Sequence, residues 1–197
     1  QITSAFDINQ VTGLVSLSGD HHMHGAGTIS TIQKDLPSKP VCLDFTVAGI
    51  SSTPLFKTLA SRVNDTHSTF QPLVFSEKSG HEQVTWNMTM TEGVLASFFY
   101  DLTGLEKVSQ WLGPNKANKG LKYVDSNSNG YGIATFSSQR IDVAFITMPS
   151  PSTPFNQVPN KKHVAYFSVP LWRKNENPEL SDPTYEGEPP FPFKKTR

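Results

Sequence analysis

Residues 13–24 read Gly13-Leu14-Val15-Ser16-Leu17-Ser18-Gly19-Asp20-His21-His22-Met23-His24. An apolar run of strand character ends at a glycine and delivers a carboxylate and a cluster of imidazoles. Three of the chain's six histidines fall within residues 21–24. A strand fixes the backbone, and Gly19 permits a sharp turn. Asp20 and His22 then offer one hard oxygen and one imidazole nitrogen, a donor set that suits iron, zinc or manganese. The plainer reading is a surface loop rich in histidine. Residues 13–18 read apolar on both faces, the pattern of a central strand with neighbours on each side.

Composition narrows the function classes. The 197 residues are 36% hydrophobic and 11% aromatic, enough for a real core. Seventeen basic residues balance seventeen acidic ones, so no basic surplus points to nucleic acid or to a membrane surface. No apolar run of 18 residues is present, and no membrane-spanning helix is expected. The single cysteine, Cys42, excludes an intrachain disulfide. Its strand-like setting, Pro40 to Phe45, makes it a core thiol, with a metal or nucleophilic role as the sharper alternative. The sequons Asn64-Asp65-Thr66 and Asn87-Met88-Thr89 mark Asn64 and Asn87 as candidate glycosylation sites. With low charge and many Ser, Thr and Pro residues, they point to an extracellular or secreted protein.

Along the chain, strands are expected at 11–18, 26–32 and 41–47, followed by a turn of small residues over 48–54. Leu55, Leu59 and Val63 predict a short helix. Residues 64–92 read as loops with at most one strand, and 91–100 fits helix or strand. Leu102 to Leu112 reads as a helix ending at Gly113-Pro114. Asn129-Gly130 is a hairpin dipeptide between the runs 121–125 and 131–136. With a further strand at 141–146, these predict a meander of three antiparallel strands. Val164 to Val169 reads as an edge strand, and residues 173–197 as an extended tail without a core. The boundaries are a domain over 1–148 and a Pro-rich extension over 149–197, packing on that domain or on a partner.

Two stretches together resemble the alkaline phosphatase D family of metallophosphoesterases. Leu17-Ser18-Gly19-Asp20-His21-His22, followed by Asp44 to Ser52, looks like that family's late metal motif, its next strand and its small-residue turn. Asn118 to Asp125, followed by Gly130 to Phe136, is similar to the family's closing segment. There an Asn-Pro-His sequence leads into a Leu-Lys-Tyr strand and a Gly-Tyr turn. Lys119 and Gly120 stand here where the family pattern has Pro and His.

The resemblance implies an α/β fold. It would be the C-terminal half of a metallophosphoesterase-like β-sandwich flanked by helices, ending in an antiparallel meander and an extended Pro-rich tail. It implies phosphoester hydrolysis by bound divalent or trivalent metal ions (Fe, Zn, Mn or Ca) that activate water and bind phosphate oxygens. Asp20 and His22 would be ligands, with His24 and His21 around them: His24 as a hydrogen-bonding neighbour, and the adjacent His21 pointing to the other face. The family's remaining metal motifs lie upstream of the Gly-Asp-x-His strand. The expected partners are therefore a phosphoester substrate and an N-terminal part of the same protein, without which this chain should be inactive. No nucleic acid and no membrane span are expected. The alternative is a non-catalytic extracellular structural or binding protein that reuses the fold.

Overall fold

The computed structural model describes residues 2–9, 11–31, 38–66, 68–113, 116–150 and 160–195, without the side chains of residues 2, 64–66 and 68. Among the described residues, eight strands form two four-stranded sheets. The first holds β1 (Val15–Ser18), β2 (His24–Ser30), β3 (Pro40–Thr46) and β4 (Leu121–Asp125) in the order β1-β3-β2-β4. β1 runs parallel to β3, while β2 is antiparallel to both of its neighbours. The second sheet is an antiparallel meander of β5 (Asn129–Phe136), β6 (Arg140–Met148), β7 (His163–Pro170) and β8 (Thr184–Gly187). α1 (Ile2–Ile8) precedes the sheets. Between β3 and β4 lie α2 (Leu55–Thr66), a 3-10 turn (Ser68–Phe70), α3 (Gln71–Val74), α4 (Thr85–Thr91), α5 (Val94–Thr103) and α6 (Glu106–Leu112). The class is mixed α/β. No helix among the described residues is long and apolar enough to cross a membrane.

One core joins the two sheets. Strand alternation aims every second side chain inward. Ala26, Leu43, Phe45 and Tyr123 thereby meet Val143, Phe145, Ala165, Phe167 and Val169. Four rings interlock at the centre. Phe145 lies 6.2 Å from Phe45, 5.4 Å from Phe167 and 6.0 Å from Tyr123 between ring centroids. Tilted and edge-on arrangements of this kind are the favourable ones for aromatic pairs. The helical insertion has two smaller cores. Phe56, Val63, Val74 and Phe75 form one, and Met88, Ala96 and Tyr100 form the other.

Several sequence expectations change. Asn129-Gly130 is not a hairpin turn: β4 belongs to the first sheet and β5 to the second, so residues 126–128 carry the chain across the sandwich. Gly130 is needed there for close approach. A Cβ on it would sit 2.1 Å from the Ile146 carbonyl oxygen and 3.1 Å from His24 Nε2. The true meander begins at β5 and runs on through β8. Residues 64–92 hold the end of α2, α3 and α4 rather than loops, because Val74, Phe75 and Met88 find apolar partners on neighbouring helices. Residues 91–100 hold no strand: Thr91 ends α4, and α5 begins at Val94, with Ala96 and Tyr100 one turn apart on its buried face.

β7 is an internal strand, because β8 pairs with it. The segment after it is not coreless. Trp172 and Leu180 are buried in the intersheet core, and Phe193 packs against it. Proline limits regular structure there to the short strand β8 without preventing apolar side chains from docking.

Asn87 is not an accessible glycan acceptor in this fold. It is 1% exposed. Its amide donates to the Phe191 carbonyl (2.8 Å), and its Oδ1 accepts from the Ser126 amide and hydroxyl (3.1 and 2.8 Å). Asn64 falls in the last turn of α2, and its side chain lies outside the described residues. Cys42 is buried, with its thiol donating to the Leu43 carbonyl.

Because three aromatic rings converge on Phe145, Phe145→Ala should lower unfolding free energy by about 3–5 kcal/mol in a urea titration. Leu17→Ala, at a side chain 58% exposed, should cost well under about 1 kcal/mol by the same measurement.

Candidate metal centre at the ends of two parallel strands

β1 and β3 pair in parallel from Val15↔Leu43 to Ser18↔Thr46, so their C-terminal ends lie side by side. Loops 19–23 and 47–54 leave from those ends, joined at their start by the Val47 amide donating to the Ser18 carbonyl (2.9 Å). Ligand sites of sheets with parallel strands collect at such ends. Since β3 lies between β1 and β2, loop 19–23 passes over the end of β3 to reach His24.

The turn in that loop is made differently from the sequence expectation. Gly19 does not take the left-handed conformation. Asp20 (φ 71°) and His22 (φ 54°) do. Asp and His tolerate this region better than most residues, but it remains uncommon and marks places where surrounding contacts hold the backbone. Two contacts hold His22. Its carbonyl accepts from the Leu55 amide at the start of α2 (2.9 Å). Its Nδ1 lies 2.9 Å from the Thr53 carbonyl oxygen. A carbonyl only accepts, so Nδ1 carries the proton and Nε2 keeps its lone pair. This is the arrangement found behind metal-ligating histidines.

Asp20 and His21 are exposed. His21 faces a groove of about 810 Å³ on the outer side of the first sheet, which Asp44, Thr46 and Lys119 also line. His24 turns the other way and is fully buried. Its Nδ1 accepts from the Ala48 amide (3.4 Å), while Nε2 has no hydrogen-bond partner. His24 therefore supports loop 47–54 and makes no hydrogen bond to Asp20 or His22, because strand alternation points it into the sandwich.

Gly120 lies flat against β2. A Cβ there would meet the Thr28 carbonyl oxygen at 2.5 Å and the Thr28 hydroxyl at 2.8 Å. No histidine fits that position on this backbone. Among the described residues, no three His, Cys, Asp or Glu side chains converge into a group that could hold a metal ion. The donors on this loop, one carboxylate and one imidazole with its second nitrogen satisfied, fit part of a metal's coordination and leave the rest to be supplied.

Beneath the loops sits a polar cluster that sequence reading missed. His24 and Asp125 face each other across β2 and β4 in register. His163, 2% exposed, has its Nε2 3.6 Å from Asp125 Oδ2. The Thr147 hydroxyl donates to the His163 carbonyl (2.8 Å) and accepts from His163 Nδ1 (3.0 Å) and from its backbone amide (3.1 Å). Nδ1 therefore carries the proton, and Nε2 accepts from the Tyr123 hydroxyl (2.8 Å). Burial holds the His163 pKa down to about 4 against the upward pull of Asp125. Burial likewise lowers the His24 pKa and raises that of Tyr123. The one sequence signal for this cluster is the polar run Asp125 to Asn129 following an apolar strand.

No family model, curated protein or solved structure matches the chain.

The His163 pKa lies below its ordinary value of 6.5. Its neutral ring therefore stabilises the fold above pH 6.5, and that contribution is lost as the pH falls from 6.5 towards 4. The thermal midpoint should drop across this window. His163→Asn should be less stable at pH 7.5 and should show a shallower drop; an equally steep one would assign the effect to other groups.

Proposed function

We propose that this chain is the C-terminal part of a metal-dependent phosphoester hydrolase, and that it contributes Asp20 and His22 to a metal centre completed by the N-terminal part. The observation that carries this reading is the His22 imidazole. Its Nδ1 is committed to the Thr53 carbonyl, leaving Nε2 to coordinate beside Asp20 at the ends of two parallel strands. Two left-handed non-glycine residues in one short loop add support, since backbone held in this way clusters at functional sites. Among the described residues β1 is an edge strand with one neighbour, β3, rather than the central strand its apolar pattern predicts.

A carboxylate with an imidazole favours iron, zinc or manganese over calcium, which prefers a shell of oxygens. A metal bound there would offset phosphate charge and lower the pKa of a water. The chain's own residues bind and orient. Asp20 supplies an oxygen donor, and His22 supplies a nitrogen donor whose other ring nitrogen is held by the Thr53 carbonyl. Two protein ligands are fewer than the three a catalytic site requires, so activity belongs to the assembled protein.

In the protein assembled with its N-terminal part, Asp20→Asn and His22→Ala should each lower metal content, read by plasma emission, together with hydrolysis of p-nitrophenyl phosphate. His21→Ala should leave both within twofold. Sensitivity at His21 but not His22 would move the ligand assignment by one residue. Indifference at all three positions in a folded assembly would leave the non-catalytic structural reading.

A further inference from the structure

We propose that Asn129 is the positioning residue for the His22 imidazole, acting through loop 49–53. This rests on His22 being the coordinating side chain. Asn129 opens β5 and is 1% exposed. Its side-chain nitrogen has two protons, and both are spent on one loop: Nδ2 donates to the Gly49 carbonyl (2.7 Å) and to the Ser52 carbonyl (2.6 Å). The next residue, Thr53, presents the carbonyl that accepts from His22 Nδ1 (2.9 Å). One peptide unit thus separates the bond that anchors the loop from the bond that orients the ring.

The surrounding chain reinforces this anchor. The Gly130 amide donates to the Gly49 carbonyl (3.4 Å), and the Phe56 amide donates to the Ser126 carbonyl (3.0 Å). The sheet-to-sheet crossing therefore grips residues 49–56 at both ends. Asn129 Oδ1, by contrast, is buried without a hydrogen-bond partner. A residue that only filled space would carry no such unpaired acceptor. The side chain is held in place by what its nitrogen does, and aspartate, which lacks N–H donors, would set a carboxylate oxygen against two carbonyl oxygens. Losing the partner that orients a coordinating histidine costs 10–100-fold in metal affinity.

Two measurements test this. The first is nitrogen-15 NMR of histidine-labelled chain without metal. His22 should be the Nδ1–H tautomer in the wild type, and Asn129→Asp and Asn129→Ser should shift it towards a mixture while the His163 signals stay in place. The second is zinc titration of the protein assembled with its N-terminal part. Asn129→Asp should weaken zinc by 10–100-fold, and Asn129→Ser, which keeps one donor, should weaken it less.

A purely structural role would lower the thermal midpoint without moving the His22 tautomer, and that result overturns the proposal. A wild-type His22 in the Nε2–H tautomer overturns it without any variant. If His22→Ala weakens zinc and Asn129→Asp does not, the positioning role fails while the reading of His22 stands. If His22→Ala leaves zinc binding unchanged but the Asn129 variants still shift the His22 tautomer, the coupling stands and the ligand assignment fails.

Discussion

The crossing from β4 to β5 is the constraint on which the rest of the structure depends. Within residues 125–130 the chain leaves one sheet, enters the other, and makes hydrogen bonds to nearly everything nearby. Asp125 Oδ1 accepts from the Asn127 amide. Ser126 is tied to Asn87 in the helical insertion and to Phe56 at the start of α2. Asn129 secures the loop after β3. The Lys162 ammonium donates to the Asn127 carbonyl and the Ser128 hydroxyl. Both sheets and the insertion are thus registered against one short segment. Its buried polar groups are costly unless paired, which gives the segment a single arrangement rather than several.

Much of the fold is legible in period-two alternation. Leu43 and Phe45, Val143 and Phe145, and Phe167 and Val169 each place apolar side chains two residues apart, and each pair proves to face the shared core. The helix from Leu55 is equally readable, because Leu59 and Val63 recur at one-turn spacing. Asn129-Gly130 misled for a physical reason. The same dipeptide that favours a tight hairpin also supplies a backbone without a Cβ and a short amide side chain, and here those properties serve close approach and loop anchoring. The helices of residues 71–91 were hidden because their apolar positions are few and their partners lie on other short helices, so no single segment carries a strong period.

The candidate site divides in the same way. Asp20 and His22 are visible as chemistry at the end of a strand. What orients His22 is a backbone carbonyl 31 residues away, and no residue type announces a carbonyl. The cluster of Asp125, His163, Thr147 and Tyr123 is assembled from three strands of two sheets. Each member alone reads as an ordinary polar residue in a strand, and only the tertiary fold makes them neighbours.

Among the described residues no strand pairs with the outer side of β1, and this has a consequence for handling the molecule. Val15-Ser16-Leu17-Ser18 carries no charge and no proline, and its outward backbone groups face away from β3. Natural sheets guard such borders with lysine, proline or a bulge. Here nothing in the strand itself discourages a second copy from adding on. Colloidal behaviour should therefore depend on what shields these four residues, and a lysine at Ser16 or Ser18 is the smallest change that would supply a guard of the chain's own.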